Sequence, residues 1–171
     1  LSDECLRAWV SILSADPKNR LLIKDKWFDD PFSRRSAEQR WISLGGDPQQ
    51  LRFAGATPHR QHLEYIQQEI DILLDPIPYS GGLSTLEAIF LGIPVITRPG
   101  ELLCHRHSTA HLSCIGAHEL IADSSAQYVE IAIDLSRDKR QLTDYRKSLT
   151  DKLLRSPLLD HEGFTAEFQK K

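Results

Sequence analysis

The residues with the clearest chemical potential lie in the segment 75–87, Asp-Pro-Ile-Pro-Tyr-Ser-Gly-Gly-Leu-Ser-Thr-Leu-Glu. The apolar residues before it predict a strand, and the residues after the paired glycines predict a helix. Gly81 and Gly82 let the backbone approach a ligand closely, and the free N–H groups at a helix start attract anions. With the hydroxyl groups of Ser84 and Thr85 as further donors, this turn suits a diphosphate.

The spacing of Ser84 and Glu87 within the same helix start has two interpretations. It matches a capping box, in which the Glu87 carboxylate returns to the backbone at the helix start. Alternatively, a carboxylate one turn into the helix accepts hydrogen bonds from both hydroxyls of a nucleotide ribose. The local pattern is compatible with both, so the sequence leaves them open.

A second candidate segment, 53–62, reads Phe-Ala-Gly-Ala-Thr-Pro-His-Arg-Gln-His. It predicts a strand end, a loop and a helix start, with Pro58 in the first turn of the helix. In a binding site, an imidazole of His59 or His62 would stack on a nucleotide base, and the Thr57 backbone would hydrogen-bond to the base edge. The alternative is a pair of exposed histidines on a solvated helix face.

Two further candidates are weaker. His107 and His111 have the i,i+4 spacing that can bind a metal, and Cys104 is close to them in sequence. No carboxylate or second thiol completes the set, and four ligands would lie on different helix faces, so we expect no metal site. Lys24, at the end of a predicted strand, is either a phosphate ligand or a surface lysine.

Alternating strands and helices must position these residues. Apolar runs predict strands at 21–23, 51–54, 71–75, 94–97 and 119–122; helical periodicity predicts helices from Ser2 to before Pro17, at about 34–44, 59–69, 84–91 and 101–114, and two terminal helices carrying Tyr128 and Leu142. The run 71–75 is apolar on both faces, as a central parallel strand requires. The rhythm predicts an α/β fold with a doubly wound parallel sheet, in which ligands bind at the carboxyl ends of the strands.

The order of elements contains one irregularity. A doubly wound nucleotide-binding unit normally begins with a strand, whereas this chain begins with a helix. We therefore expect the domain to lack its first strand. Because an unpaired sheet edge promotes association, we expect dimerisation, poor solubility or complementation by an N-terminal segment.

Composition bounds the class of protein. The 171 residues are 40% hydrophobic and 26% charged, with 21 Lys and Arg against 24 Asp and Glu, and they predict one domain over 1–171. The sequence contains no cluster of basic residues of the kind that is typical of nucleic-acid-binding proteins. No signal peptide is recognised at the start, and the apolar stretch 88–97 is too short for a membrane span. Cys5, Cys104 and Cys114 form no CxxC pair, which indicates reduced thiols and a cytoplasmic setting.

Taken together, the segments resemble the C-terminal catalytic-region domain of the O-GlcNAc transferase family, which includes Spindly-type O-fucosyltransferases and bacterial TPR-linked homologues. The resemblance spans nearly the whole chain. It is most specific in 70–82 (Ile-Asp-Ile-Leu-Leu-Asp-Pro-Ile-Pro-Tyr-Ser-Gly-Gly), Glu87-Ala88 and 92–100 (Gly-Ile-Pro-Val-Ile-Thr-Arg-Pro-Gly), with support from Arg106, 112–116, 119–122 and 156–158. It implies the Rossmann-like C-terminal domain of a GT-B glycosyltransferase.

The resemblance also implies which residues bind a nucleotide-sugar donor. The implied contacts are Thr57 and His59 to uracil, His62 stacked on the base, Gly82, Leu83 and Ser84 at the diphosphate, and Glu87 at the ribose. Several positions depart from the family pattern. His59 stands in place of a lysine of animal members, Leu83 in place of one of two threonines, and Glu87 in place of an aspartate. One extra residue follows His62.

The reaction implied by the resemblance is inverting transfer of GlcNAc or a similar sugar to protein Ser or Thr hydroxyls. The donor would be UDP-GlcNAc, or another UDP- or GDP-sugar, and no metal or other cofactor is implied. The family's phosphate-contacting lysine, its proposed catalytic histidine and its TPR repeats precede the part matched here. No catalytic residue is therefore assigned in this chain, which we expect to be inactive alone.

Two alternatives accompany this interpretation. The pattern of residues 82–88, followed by 92–96, is also similar to retaining GT-B enzymes that use a glutamate on this helix. A non-catalytic binding or interaction module derived from such an enzyme is the other alternative. The stereochemistry of the transferred sugar would separate the two enzyme classes.

Overall fold

A computed structural model describes residues 1–170. The helices are α1 (Asp3–Ser14), α2 (Pro31–Ser43), α3 (His59–Glu69), α4 (Leu83–Phe90), α5 (His107–Cys114), α6 (Ser125–Arg137), α7 (Lys139–Leu154) and α8 (His161–Gln169). The strands are β1 (Leu21–Lys24), β2 (Leu51–Ala54), β3 (Leu73–Leu74) and β4 (Val95–Ile96). Strands and helices alternate through most of the chain, so the predicted α/β class is confirmed.

Capping side chains decide where the first two helices begin. The Ser2 hydroxyl accepts a hydrogen bond from the Cys5 amide, as the predicted helix start requires. Helix α2 begins earlier than the predicted residue 34, because the Asp30 carboxylate caps it by accepting from the Ser33 amide. Pro31 then occupies the first turn, where a missing N–H costs nothing.

The strands form two parallel pairs. β1 pairs with β2, from Leu21 opposite Leu51 onward, and β3 pairs with β4, with Leu73 opposite Val95. A parallel bridge between Thr97 and Ile121 extends the second pair. The predicted strand 71–75 is thus reduced to two paired residues. The predicted strand 119–122 is largely a 3-10 turn at His118–Leu120 that precedes the bridge.

The core lies between these strands and the helices that cover them. Val95, Ile96 and Ile89 are fully buried. Helix α1 packs against α6, where the Trp9 indole donates a hydrogen bond of 3.1 Å to the Tyr128 hydroxyl. Helix α4 packs against α7. The two terminal helices expected from sequence are confirmed as α6 and α7.

The structure differs from the sequence-based prediction at two helices, one that is shorter than predicted and one that was not predicted. The predicted helix 101–114 is a 3-10 turn at Leu103–His105 followed by the shorter α5, because backbone bonds between Gly100 and His105 fold this stretch into a loop. Helix α8 was not predicted. It carries no buried residue, and its two phenylalanines, Phe164 and Phe168, are exposed. Within residues 1–170, no helix has the length and apolarity to cross a bilayer.

Candidate functional site

The turn after β3 is anchored by a buried carboxylate. Asp75 is 1% exposed, and its Oδ1 accepts a hydrogen bond of 2.7 Å from the Gly81 amide. Its Oδ2 accepts one of 2.6 Å from the Thr97 hydroxyl, at the end of β4. Burial raises the pKa of Asp75, opposed by the hydrogen bonds from Thr97 and Gly81. The carboxylate therefore ties the glycine turn to the carboxyl ends of two adjacent strands.

Hydroxyl groups hold the turn from its other side. The Gly81 carbonyl accepts from the Ser108 hydroxyl at 3.0 Å and from the Thr85 hydroxyl at 3.2 Å. The Ser108 amide donates to the Ser80 hydroxyl at 2.8 Å. A Cβ atom on Gly81 would lie 2.8 Å from the hydroxyl oxygens of Ser84 and Thr85. A side chain at Gly81 would thus crowd the turn, which explains the glycine there.

The start of α4 is open. Gly82 precedes the helix without any side-chain hydrogen bond to cap it, and a Cβ atom on Gly82 would meet nothing within 4 Å. Leu83 and Ser84 are exposed, whereas Thr85 is fully buried. The expectation that the Thr85 hydroxyl contacts a ligand is therefore wrong, because it is engaged in the turn. The open amides and the positive end of the helix dipole can bind an anion.

Glu87 connects α4 to α3. Its Oε1 lies 2.8 Å from His59 Nε2, and its Oε2 lies 3.9 Å from His62 Nε2. The carboxylate does not return to the helix start, so the capping-box interpretation of Glu87 is not what the structure adopts. The Glu87 side chain is 14% exposed, against 62% for His59. The structure thus brings Glu87, His59 and His62 together, beside the open start of α4.

His62 lies in a partly buried position next to Lys24. Burial lowers the pKa of His62, and the Lys24 ammonium lowers it further, while Glu87 opposes the shift and His59 adds to it. The Lys24 ammonium donates a hydrogen bond of 2.5 Å to the Gly55 carbonyl and lies 5.9 Å from the centre of the Tyr65 ring. Lys24 is therefore not a free surface lysine. A neutral imidazole at His62 can stack on an aromatic base.

Thr57 lies in the exposed loop that leads to α3. The Ala56 amide donates a hydrogen bond of 3.2 Å to Asp29 Oδ2, which ties the loop to the segment before α2. Thr57 lies two residues before His59, whose imidazole contacts the carboxylate of Glu87. The contact between His59 and Glu87 thus brings the segment 53–62 next to α4, the helix that follows the glycine turn.

The cysteine and histidine cluster around α5 gains no further ligands from the fold. Among residues 1–170, no three side chains of His, Cys, Asp or Glu are grouped as a metal site requires. Burial lowers the pKa of His111, and the neighbouring His107 lowers it further. His107 and His111 are both partly buried on α5.

Asp75 opens the candidate segment 75–87, but the sequence pattern predicted no role for its side chain. Its carbonyl also accepts a hydrogen bond of 3.0 Å from the Tyr128 hydroxyl, so backbone and side chain are both fixed. An available signal was its position, a carboxylate directly after an apolar strand. Ser108 and Tyr128 carried no such signal, because they lie far along the chain on helices α5 and α6.

The depressed pKa values of His62 and His111 predict that acid destabilises the fold. Both imidazoles have folded-state pKa values below the ordinary 6.5, so the unfolded chain binds more protons below that pH. Their contribution to stability is present above pH 6.5 and is lost as the pH falls through the folded-state values. Thermal unfolding at about pH 7.5 and about pH 5 measures the loss.

Two substitutions test whether His62 contributes to this loss of stability in acid. In His62→Gln, we expect a smaller drop in unfolding midpoint between the two pH values than in the native chain. His118 is exposed on a 3-10 turn, and His118→Gln should show the native drop. An equal drop in all three proteins would show that His62 does not contribute.

Comparison with known proteins gives a consistent result. Residues 1–168 match the family model described as glycosyl transferase family 41. A probable UDP-N-acetylglucosamine–peptide N-acetylglucosaminyltransferase SPINDLY of Petunia hybrida is 32% identical over 99% of the chain, and the corresponding protein of Oryza sativa subsp. japonica is 33% identical over 96%. The UDP-N-acetylglucosamine–peptide N-acetylglucosaminyltransferase of Caenorhabditis elegans is 28% identical over 96%.

A solved structure agrees with these sequence relatives. A mutant of the O-GlcNAc transferase of Thermobaculum terrenum superposes with a TM-score of 0.92 and 30% identity, over 99% of this chain. The chain spans 18% of the length of the two plant relatives and 32% of the bacterial chain. The similarity therefore concerns one portion of much longer proteins.

Proposed function

This chain belongs to glycosyl transferase family 41, and we propose that it forms the portion of such an enzyme that holds the nucleotide-sugar donor. The observation that carries the proposal is the convergence of an uncapped helix start with a carboxylate and two imidazoles. Ser84, His62 and Lys24 line one and the same groove. In a nucleoside diphosphate, the diphosphate is joined to the ribose and the ribose to the base. The helix start suits the diphosphate, the carboxylate suits the ribose and the imidazoles suit the base.

The diphosphate has the most specific setting. We assign it to the amides of Gly82, Leu83 and Ser84 and to the Ser84 hydroxyl. Asp75 and Ser108 hold the preceding turn rigidly, so these donors are oriented before the ligand arrives. Preorganised donors need no reordering when charge develops on the departing diphosphate, which is how such groups accelerate a reaction.

The nucleoside is assigned to the Glu87 side of the groove. The Glu87 carboxylate accepts the ribose hydroxyls, and the 2.8 Å contact with His59 orients it for this role. The His62 ring stacks on the base, while the backbone at Thr57 and His59 faces the base edge. The partial burial of Glu87 strengthens its hydrogen bonds relative to those of a solvated carboxylate.

The donor that fits these assignments best is UDP-GlcNAc, with a GDP-sugar as the second possibility. The printed names of the plant and nematode relatives specify UDP-N-acetylglucosamine and a peptide acceptor. We propose the same class of reaction, inverting transfer to a protein Ser or Thr hydroxyl without a metal. The chain spans 18% of the Petunia relative, and we assign the acceptor site and its general base to the remainder. On this proposal, the chain binds donor but does not transfer sugar alone.

Calorimetric titration of the purified chain tests the proposal. We expect UDP and UDP-GlcNAc to bind at least about tenfold more tightly than GDP at neutral pH without metal, a difference of about 1.4 kcal/mol. His62→Ala should weaken UDP binding because it removes the stacking ring, and His118→Ala, on the exposed turn, should not. Absence of binding by any nucleotide to the folded chain would contradict the proposal that these residues suffice to hold the donor.

A further inference from the structure

Trp27 is an exposed tryptophan that follows the carboxyl end of β1. It is 67% exposed, whereas Trp9 and Trp41 are 4% and 1% exposed. Within residues 1–170, the indole N–H groups of Trp9 and Trp41 have hydrogen-bond acceptors, and that of Trp27 has none. Single exposed apolar residues are common on protein surfaces. The significance of Trp27 therefore depends on what holds it and on where it lies.

A short 3-10 turn, Lys26–Asp29, holds Trp27 in place. The Trp27 amide donates a hydrogen bond of 2.9 Å to the Asp25 carboxylate, and the Trp27 carbonyl accepts one of 3.4 Å from the Asp30 amide. The Lys26 ammonium lies 5.6 Å from the centre of the indole ring, within reach of a cation–π contact. The tryptophan backbone is thus fixed on both sides, and one face of its ring remains for another partner.

The neighbouring residues of the turn attach it to the segment assigned to the base. The Phe28 and Phe53 rings lie 4.6 Å apart, which joins the turn to β2. Asp29 Oδ2 accepts a hydrogen bond of 3.2 Å from the Ala56 amide, in the loop before α3. Phe28 and Asp29 therefore contact β2 and its loop, and Trp27 is the aromatic residue of the turn that stays exposed.

Trp27 lines the same groove as His62. This groove has a volume of about 810 Å³, and Lys24 and Ser84 also line it. Lys24 ends β1, just before the turn, and its ammonium is close enough to lower the pKa of His62. The end of β1 and the histidine are therefore near each other. Two flat rings, an indole and an imidazole, thus border the groove on the side assigned to the nucleoside.

We propose that Trp27 stacks on the base of the donor nucleotide, in addition to the contact assigned to His62. The inference rests on the proposed donor site and adds to it a contact that the family resemblance does not assign. The indole provides a broad apolar surface on the face that Lys26 leaves open. An aromatic side chain can stack on any base, because every base has a π face. Since the turn is already fixed, little conformational entropy is lost when the base binds.

Calorimetric titration with UDP and with ribose 5-diphosphate, which lacks the base, tests the proposal. We expect Trp27→Ala to weaken UDP binding about 10- to 100-fold, the range for loss of a stacked aromatic contact. Binding of ribose 5-diphosphate should not change. Trp27→Phe keeps a stacking ring and should retain most of the UDP affinity. Phe32 is 71% exposed on α2 and lines a separate depression, so Phe32→Ala should behave as the native chain.

Tryptophan fluorescence gives an independent readout. The chain has three tryptophans, and because Trp9 and Trp41 are buried, only the Trp27 indole can contact a ligand from solvent. With excitation beyond the absorption of the nucleotide, we expect UDP to change the emission of the native chain and to reduce its quenching by acrylamide. Both effects should be lost in Trp27→Phe, although this variant still binds UDP. The unfolding midpoint of Trp27→Ala should stay within about 2 °C of the native value, because the side chain is exposed.

The outcomes separate this proposal from the donor proposal. Equal UDP binding by the native chain and Trp27→Ala would leave the donor site in place and overturn the stacking contact. An equal loss of affinity for ribose 5-diphosphate would place Trp27 at the ribose or the diphosphate, and a loss confined to UDP-GlcNAc would place it at the sugar. Either result would overturn the contact with the base. A native chain that binds no nucleotide would overturn both proposals.

Discussion

Replacement of Asp75 by alanine is expected to lower the free energy of unfolding by about 3 kcal/mol. The substitution leaves the Gly81 amide and the Thr97 hydroxyl without their acceptor in a buried position. Each unsatisfied buried donor costs about 1–3 kcal/mol, and the packing lost with the side chain adds to this. Urea unfolding followed by circular dichroism measures the difference. Because the glycine turn would no longer be anchored, UDP binding should weaken in the same variant.

Two further variants serve as comparisons. Asp75→Asn keeps the volume of the side chain but removes its charge, and Asp71→Ala removes a carboxylate outside the network. In Asp75→Asn the amide oxygen still accepts from Gly81, and the Thr97 hydroxyl can rotate to accept from the amide nitrogen, so the loss should be about 1 kcal/mol. Asp71 is exposed before β3, and Asp71→Ala should change stability by less than about 0.5 kcal/mol. A loss in Asp75→Ala no larger than that of Asp71→Ala would show that the network does not hold the turn.

Replacement of Glu87 by alanine should weaken UDP binding by roughly 30-fold, or about 2 kcal/mol, with little loss of stability. The affinity loss reflects hydrogen bonds from the ribose hydroxyls to a charged acceptor, which are stronger than neutral ones. Stability should change little because the partner imidazole of His59 is 62% exposed, and ion pairs in such settings contribute about 0–1 kcal/mol. Calorimetry with UDP measures the first quantity and thermal unfolding the second.

A donor lacking one hydroxyl tests the assignment to the ribose. The native chain should bind 2′-deoxy-UDP more weakly than UDP, whereas Glu87→Ala should bind the two equally, as a double-mutant cycle requires for contacting groups. Glu64 forms an exposed pair with Arg60 on α3, and Glu64→Ala should behave as the native chain. An undiminished preference for UDP in Glu87→Ala would place the ribose elsewhere.

Local sequence patterns predicted much of what surrounds the site. The glycine turn, the helix after it and the strand before it follow from short-range rules, since paired glycines and an apolar run have few alternatives. Residues 59–69 were predicted as a helix and form α3. The resemblance to the O-GlcNAc transferase family is confirmed by the match over residues 1–168. The ligand roles of His59, His62 and Glu87 stay predictions.

Other features could not be predicted because they depend on partners distant in sequence. Ser84 and Glu87 have a spacing that fits both a capping box and an outward carboxylate, and the contact with His59, 28 positions away, decides between them. Ser84 and Thr85 are adjacent and chemically alike. Helix rotation of about 100° per residue places one in solvent and turns the other toward Ser108.

The sequence by itself determined the class of fold, the family and the place of the glycine turn, because each depends on local propensity and on an ordered series of motifs. The tertiary structure alone decided that Asp75 anchors the turn, that Thr85 is withdrawn from it and that the two strand pairs stand apart. These features depend on hydrogen bonds and burial between segments separated by tens of residues. Local spacing carries no information about which of those segments will meet.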